Sequence, residues 1–411
     1  MTSECMDRRA SACPELGEGL AMTGKRYVLM VALFSAACVG SGAASAENSI
    51  ENKGVAQKVT QAKEASQNTH SSRKKSVNKI RSQPTLAGPA YAGRADAMWV
   101  ATDIAERRNL DADWVRQTVG QAHYLPRVAK LIEPAAVGTA KNWQLYRSRF
   151  LDPLRIQAGL EFWQDNRASL ERAELTTGIP AEIIVGILGV ETLYGRQMGS
   201  FRVIDALATL TFDFPASHPR ALERSAYFKG ELEQFLSLTK RSGMDPLALR
   251  GSYAGAMGMA QFMPSSWVNY AVDFDGDSKI DLFNSPVDAI GSVANYFKAF
   301  NWQRGMPTHY PVRFDAAMLD LDTLLAPDIL PTFSVASFTA KGAVLEGAAL
   351  QHKGPLALIE LQNGDAAPSY VAGTENFYAI TRYNWSSYYA MAVIELGQAV
   401  AALVNRPEQE K

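Results

Sequence analysis

The chain has 411 residues, with 41 Lys and Arg against 42 Asp and Glu. That length exceeds one ordinary hydrophobic core and implies a targeting segment plus two or three packed subdomains. The near-zero net charge excludes the basic surface by which nucleic-acid-binding proteins hold phosphates, so nucleic acid is not an expected partner.

Lys25-Arg26, the apolar run Tyr27 to Cys38 and the small residues Ala44-Ser45-Ala46 read as the three regions of a secretory signal over 1–46. The apolar run is short of the ~20 residues that a permanent spanning helix needs. Met22 suits a translation start, because Glu4, Asp7, Glu15 and Glu18 ahead of it fit a signal poorly. A periplasmic location is implied. Cys5, Cys13 and Cys38 all precede the proposed cut, so the mature chain would have no disulfide and would depend on its core. A lipid on Cys38, anchoring the protein to the outer membrane, is the alternative, weakened by Ser35 where lipoprotein signals carry an aliphatic residue.

Residues 47–94 are polar and poor in large apolar groups, which predicts a flexible tether whose basic cluster Arg73-Lys74-Lys75 is solvated. From 95 to 176, segments such as MWVATDIAERRN, DADWVRQTVGQA and PLRIQAGLEFWQDNRASLERAEL space apolar residues three and four apart, predicting a helical domain. Residues 177–304 continue as helices broken by Gly-, Pro- and Asp-rich turns. Over 305–374 TFSVASF and LALIELQ have strand-like composition, and Asn363-Gly364 signals a hairpin turn, so a small β subdomain is expected. The apolar YYAMAVIELGQAVAALV places a buried helix in 375–405, packing back on the body. The five histidines are scattered, and no transition-metal centre is expected.

Gly178-Ile179-Pro180 before AEIIVGILGVETLYG predicts a helix with Pro in its first turn and Gly195 as its stop. Ile183, Ile184, Ile187 and Leu188 form an apolar stripe, and Glu191 falls on it three and four residues beyond the last two. Burial and the negative end of the helix dipole both raise a carboxyl's pKa there. A carboxyl protonated near neutral pH can donate to a leaving oxygen, as glycosidic cleavage requires. The spacing alone leaves open a structural Glu paired with Arg196 or Arg224.

VETLYG, RVIDALATLTFDFP, GSYAGAMGMAQFMPSSW, VDFDGDSKIDLFNSPVDAIGSVANYF, and NFYAITRYN with YYAMAV resemble, in order and spacing, the lytic transglycosylase B family of peptidoglycan-cleaving enzymes over about residues 97–404. The resemblance implies a predominantly α, α+β fold with a lysozyme-like core at 177–304. It also implies cleavage of the β-1,4 bond between N-acetylmuramic acid and N-acetylglucosamine, forming a 1,6-anhydro sugar. Glu191 would be the single acid and base. No second carboxylate stands out; Asp205 and Asp213 are nearby but read better as turn and capping residues. The substrate contacts implied are Ser252, Gln261, Phe262, Met263, Tyr146, Arg224, Tyr227, Tyr296, Tyr383, Asn384 and Tyr389. Phe262 and Met263 could equally be core. One departure is Glu223, where the family carries a second Arg beside Arg224.

Asp273, Asp275 and Asp277 alternate as in a calcium loop, but Ser278 and Asn284 stand where an EF-hand has Gly and Glu. The family resemblance implies a longer loop closed by Asp288, with Lys279 giving its backbone carbonyl. A Ca²⁺ there would be structural, and the chemistry itself would need no cofactor. The implied partners are peptidoglycan glycan strands and the cell-wall synthesis machinery, with the chain a monomer. A water-using muramidase and a catalytically silent wall-binding protein are the competing functions.

Overall fold

The computed structural model describes residues 87–134 and 141–405. The expected secretory signal, the cysteines and the polar stretch up to residue 86 lie outside the described residues. The tether ends earlier than its composition suggests. Gly88 N–H bonds to the Tyr124 carbonyl at 2.8 Å, and the buried Tyr91 donates its phenol to Asp213 at 2.5 Å. Burial of that one aromatic ring ties residues 87–94 to the body.

Helices α1 (Ala95–Arg108), α2 (Ala112–Gly120) and α3 (Pro126–Leu131) follow, then α4 (Trp143–Arg147), α5 (Pro153–Asp165) and α6 (Arg167–Thr177). Asp111, Asn142 and Asp152 start α2, α4 and α5 by accepting a backbone N–H in the first turn. The long amphipathic stretch 153–175 is two helices, divided at Asn166.

Helix α7 (Ala181–Thr192) begins directly after Pro180, which is its N-cap and not a first-turn residue, and it stops three residues before Gly195. Leu193, Tyr194 and Gly195 all take positive φ, at 51°, 56° and 84°. Two non-glycine residues in this left-handed region carry local backbone strain. Nor is α7 amphipathic. Every residue from Ala181 to Thr192 except Glu182 is buried, so it is the central helix of the fold, not one with a single apolar stripe.

Around it come β1 (Phe201–Arg202), α8 (Val203–Phe212), α9 (Ala221–Ser242), β2 (Arg250–Gly251), α10 (Pro264–Tyr270) and α11 (Pro286–Ala299). The small subdomain contains β3 (His309–Pro311), β4 (Arg313–Phe314), α12 (Leu321–Leu325), α13 (Val335–Thr339), β5 (Ala343–Val344), β6 (Ala357–Asn363) and β7 (Ala366–Gly373). The chain closes with α14 (Glu375–Tyr383) and α15 (Ser387–Val404).

Strands β3, β7 and β6 form an antiparallel sheet in that order. Two strand expectations change. TFSVASF is mostly the short helix α13: Ser334 accepts the Ser337 N–H, and Phe338 is buried in the subdomain core. Asn363 pairs with Ala366, so the two-residue turn is Gly364-Asp365, with Gly364 at φ 65°.

One hydrophobic core runs from Tyr91 to Val400 and takes residues from both 95–176 and 177–304, so those two stretches pack as one body. A separate small core built around Leu324, Phe338, Leu356 and Leu358 belongs to the β subdomain. Helix α15 is long and apolar enough to cross a membrane, yet it is mostly buried against α7 and α5. Gly186 and Gly397 allow that contact. A Cβ on either would lie 2.2 or 2.1 Å from a backbone oxygen of the other helix, Val393 or Glu182 respectively. The two backbones therefore touch, which brings the first turn of α15 beside the last turn of α7.

Candidate active site

Glu191 sits in that last turn and is 5% exposed. Tyr389, from α15 and 2% exposed, donates its hydroxyl to Glu191 Oε1 at 2.5 Å. Among the described residues Oε2 takes no hydrogen bond. Burial pushes the Glu191 carboxyl up to about 7, and the Tyr389 hydrogen bond pulls the other way. The alternative ion pairs do not form. Arg196 pairs with Glu161 at 3.0 Å, and Arg224 lies over the rings of Tyr227 and Phe228.

Rings extend outward from Tyr389. Tyr383 stacks on it at 6.4 Å between centroids, and Phe262 and Tyr296 pack on Tyr383 at 5.8 and 4.8 Å. Phe262 and Tyr296 are thus one ring further from the carboxyl, buried as supports, with Tyr296 donating to the Arg382 carbonyl at 2.6 Å. Tyr146 stands apart from this stack: burial first, and the charge of Glu191 second, hold its phenol well above the usual range. It stacks on Trp143 at 6.3 Å and meets the edge of Tyr388 at 5.8 Å.

The glycine-rich segment folds as a tight hairpin in which Met257 and Phe262 exchange backbone hydrogen bonds of 2.8 and 3.1 Å. Gln261 turns the corner at φ 48°, and its side chain donates to the Gly258 and Met198 carbonyls at 3.0 and 3.2 Å. Ser252 accepts the Ala256 N–H on its hydroxyl at 3.0 Å. Met263 is half-buried ahead of α10, whose first turn is held by the buried Glu231 through Ser265 at 2.6 Å. Asn384 ends α14 next to Tyr383 and is buried. Arg224 and Tyr227 lie on α9, where Glu223, in place of a second arginine, pairs with Arg220.

The nearby acids are structural. Asp205 pairs with Arg202 at 2.6 Å and accepts the His123 N–H; Asp213 pairs with Arg94 at 2.6 Å. Neither supplies a second catalytic carboxylate. Depressions of about 350 Å³ beside Arg147, His309 and Glu395, and of about 370 Å³ beside Lys141, Glu360 and Asn363, are lined by neither Glu191 nor the hairpin.

In the acidic loop, carboxylate oxygens of Asp273, Asp275 and Asp288 lie within 4.8 Å of one another. The buried Asp288 accepts N–H groups of Phe274 and Asp281, both at 2.8 Å, and burial raises its carboxyl above the usual range. Asp277 falls outside this group and spends its carboxylate on the Lys279 N–H at 2.8 Å. Three hard oxygen donors converging without a cationic side chain suit Ca²⁺. The family resemblance implied the tyrosines, and the apolar helix together with that resemblance pointed to the carboxyl; neither signalled Thr192, Gly186, Gly397 or Tyr388, although glycines inside an apolar helix were a readable hint of close packing.

A mostly helical body whose central helix ends in one buried carboxyl of raised pKa, shielded by tyrosines and, among the described residues, without a carboxylate partner, fits the lysozyme-like class. A family model described as the transglycosylase SLT domain matches residues 94–398. Membrane-bound lytic murein transglycosylase B of Escherichia coli is 41% identical over 323 residues, 76% of this chain and 85% of that protein. The E. coli lytic transglycosylase Slt35 in complex with bulgecin A superposes with a TM-score of 0.69 at 40% identity, over 78% of this chain and 98% of its own. Slt35 in complex with calcium superposes with a TM-score of 0.68 at the same identity, over 78% and 97%. SltB3 of Pseudomonas aeruginosa in complex with NAG-anhNAM-pentapeptide gives a TM-score of 0.61 at 28% identity, over 75% and 80%. The chain belongs to the transglycosylase SLT domain family.

Proposed function

We infer that this chain is a lytic transglycosylase that cleaves the β-1,4 bond between N-acetylmuramic acid and N-acetylglucosamine in peptidoglycan, with Glu191 as its only acid and base. The buried carboxyl with one hydrogen-bonding partner carries this reading. A carboxyl with a pKa of about 7 is largely protonated below neutrality, and Tyr389 occupies Oε1. Oε2 therefore holds the proton that passes to the glycosidic oxygen.

As the C1–O4 bond breaks, positive charge grows at C1 of the muramoyl residue. Among the described residues no second carboxylate pairs with Glu191, which favours the substrate's own 2-acetamido oxygen as the group that steadies this charge. Ionised Glu191 then takes the proton of the muramoyl C6 hydroxyl, and that oxygen closes on C1. The products are a 1,6-anhydromuramoyl end and a free N-acetylglucosaminyl 4-hydroxyl. The proton returns to Glu191 and no water is consumed.

Around the carboxyl, Tyr146, Ser252, Gln261, Met263, Asn384, Arg224 and Tyr227 supply the sugar contacts, while Tyr383, Phe262 and Tyr296 hold Tyr389 in place. Tyrosine suits both tasks, since its ring packs on sugar C–H groups and its hydroxyl bonds to oxygen. Asp273, Asp275 and Asp288 would hold Ca²⁺, which would brace the loop ahead of α11. The reading of 1–46 as a secretory signal and a peptidoglycan substrate both support a periplasmic location.

The test is Glu191→Gln on purified sacculi. Release of soluble fragments should fall roughly 10²–10⁴-fold, and the parent's products should carry ends that borohydride cannot reduce. Parental rates from the variant would discard Glu191 as the acid; reducible ends from the parent would make the enzyme a muramidase.

A further inference from the structure

The residue after the carboxyl is a threonine that touches no surface. Thr192 is 1% exposed, and its hydroxyl makes two good hydrogen bonds. It accepts the Gly195 N–H at 2.9 Å and has the Met259 carbonyl at 2.8 Å. The Leu188 carbonyl, the usual partner of a helical threonine, is 3.4 Å away. One hydroxyl has one hydrogen. It goes to the nearer oxygen, outside the helix.

Both bonds do structural work at the site. The bond from Gly195 closes the turn in which Leu193, Tyr194 and Gly195 all have positive φ, and so ends α7 one residue after Glu191. The bond to Met259 ties that helix end to the hairpin carrying Gln261. The next carbonyl along, that of Ala260, accepts the Tyr383 hydroxyl at 2.5 Å. Consecutive carbonyls of one hairpin are thus gripped by α7 through Thr192 and by the end of α14 through Tyr383. Tyr383 also stacks on Tyr389, which bonds to Glu191. The grip closes a ring from acid to hairpin and back to acid.

We propose that Thr192 is a positioning residue that fixes the distance between the Glu191 carboxyl and the sugar-facing hairpin, and that its hydroxyl, not its volume, does so. This rests on the reading of Glu191 as the acid. The Thr192 hydroxyl bonds to backbone groups and not to the carboxyl, so its influence is on geometry in the transition state. Displacement of a catalytic group by about 1 Å can cost on the order of a hundredfold in rate. Binding of a long glycan, spread over many contacts, is much less sensitive.

Three substitutions test this. Thr192→Val keeps the shape and removes the hydroxyl, Thr192→Ser keeps the hydroxyl and removes a methyl, and Thr192→Ala removes the hydroxyl without pressing a methyl against the Met259 carbonyl, should the valine variant fail to fold. Fragment release would be followed at varied sacculus concentration and pH, alongside thermal unfolding. The expected result is a kcat lower by roughly ten- to a hundredfold for the valine or alanine variant. KM should stay within about twofold, and the pH at which rate is half lost should not move, because the carboxyl keeps its own surroundings. The serine variant should keep most of the parent's kcat. Parental kcat without the hydroxyl overturns the proposal, as does a serine variant as impaired as the valine one, or a loss that appears in KM. Glu191→Gln, run alongside, separates the two ideas. If it is inactive while Thr192→Val is parental, only the positioning role fails; if it keeps the parental rate, the acid itself was misassigned.

Discussion

A glutamate buried at 5% exposure has consequences for both rate and stability. Its pKa in the folded protein, about 7, lies above the ordinary 4.5. The folded chain therefore holds a proton that the unfolded chain releases between those values, and stability falls as pH rises through that window. Glu191→Gln removes the penalty. The variant should gain on the order of 3 kcal/mol over the parent at pH 8 and nothing at pH 4, as read by urea unfolding at the two pH values. Equal gains at both would show that burial of the charge is not the cause. Tyr389→Phe removes the one hydrogen bond that favours the ionised form. The alkaline limb of the pH–rate profile should then move to higher pH, and an unmoved limb would mean that the 2.5 Å contact does not tune the carboxyl.

At the scale of helices, the site depends on how closely α7 and α15 approach. Gly186 and Gly397 carry that approach, because a Cβ on either would collide with backbone that cannot rotate away. Gly186→Ala should destabilise the fold by about 1–3 kcal/mol, toward the upper end since the clash is with a carbonyl oxygen. It should also push Tyr389 from Glu191 and lower fragment release in the variant molecules that still fold. Thermal unfolding and a rate per folded molecule check the two effects separately. Alanine is the better helix former, so a stabilised variant would show that the helices have room to spare.

Across the whole molecule, α15 connects the parts. It closes the main core and presents Tyr388 to the β subdomain, where the phenol accepts the Gln362 N–H at 2.8 Å. It also supplies Tyr389 to the acid. The acidic loop acts at the same scale through α11, whose first turn Asp288 and Ser285 share. Bound Ca²⁺ should stabilise the fold by about 2.7 kcal/mol at a hundredfold excess over its Kd, and so raise the unfolding midpoint. A chelator should reverse this, Asp288→Asn should abolish it, and the pH–rate limb of Glu191 should stay where it was. A midpoint indifferent to calcium would reduce the loop to a capped turn.

Much was legible in the sequence because its signals are local. Pro180 marked a helix start, LALIELQ and the glycine after it marked a hairpin, the alternating aspartates marked a candidate cation loop, and the glutamate in an apolar helix marked a carboxyl denied water. Other features depend on neighbours distant along the chain. The amphipathic pattern of α7 gave way to burial on all sides because α15, about two hundred residues later, covers it. TFSVASF became mostly helix because a serine cap and a small core outweighed β-branched composition. Residue order alone could supply a carboxyl, tyrosines and a threonine. Only tertiary packing could decide which hydroxyl meets which oxygen, because those 2.5 to 2.8 Å contacts are set by the glycine crossing and the hairpin it faces.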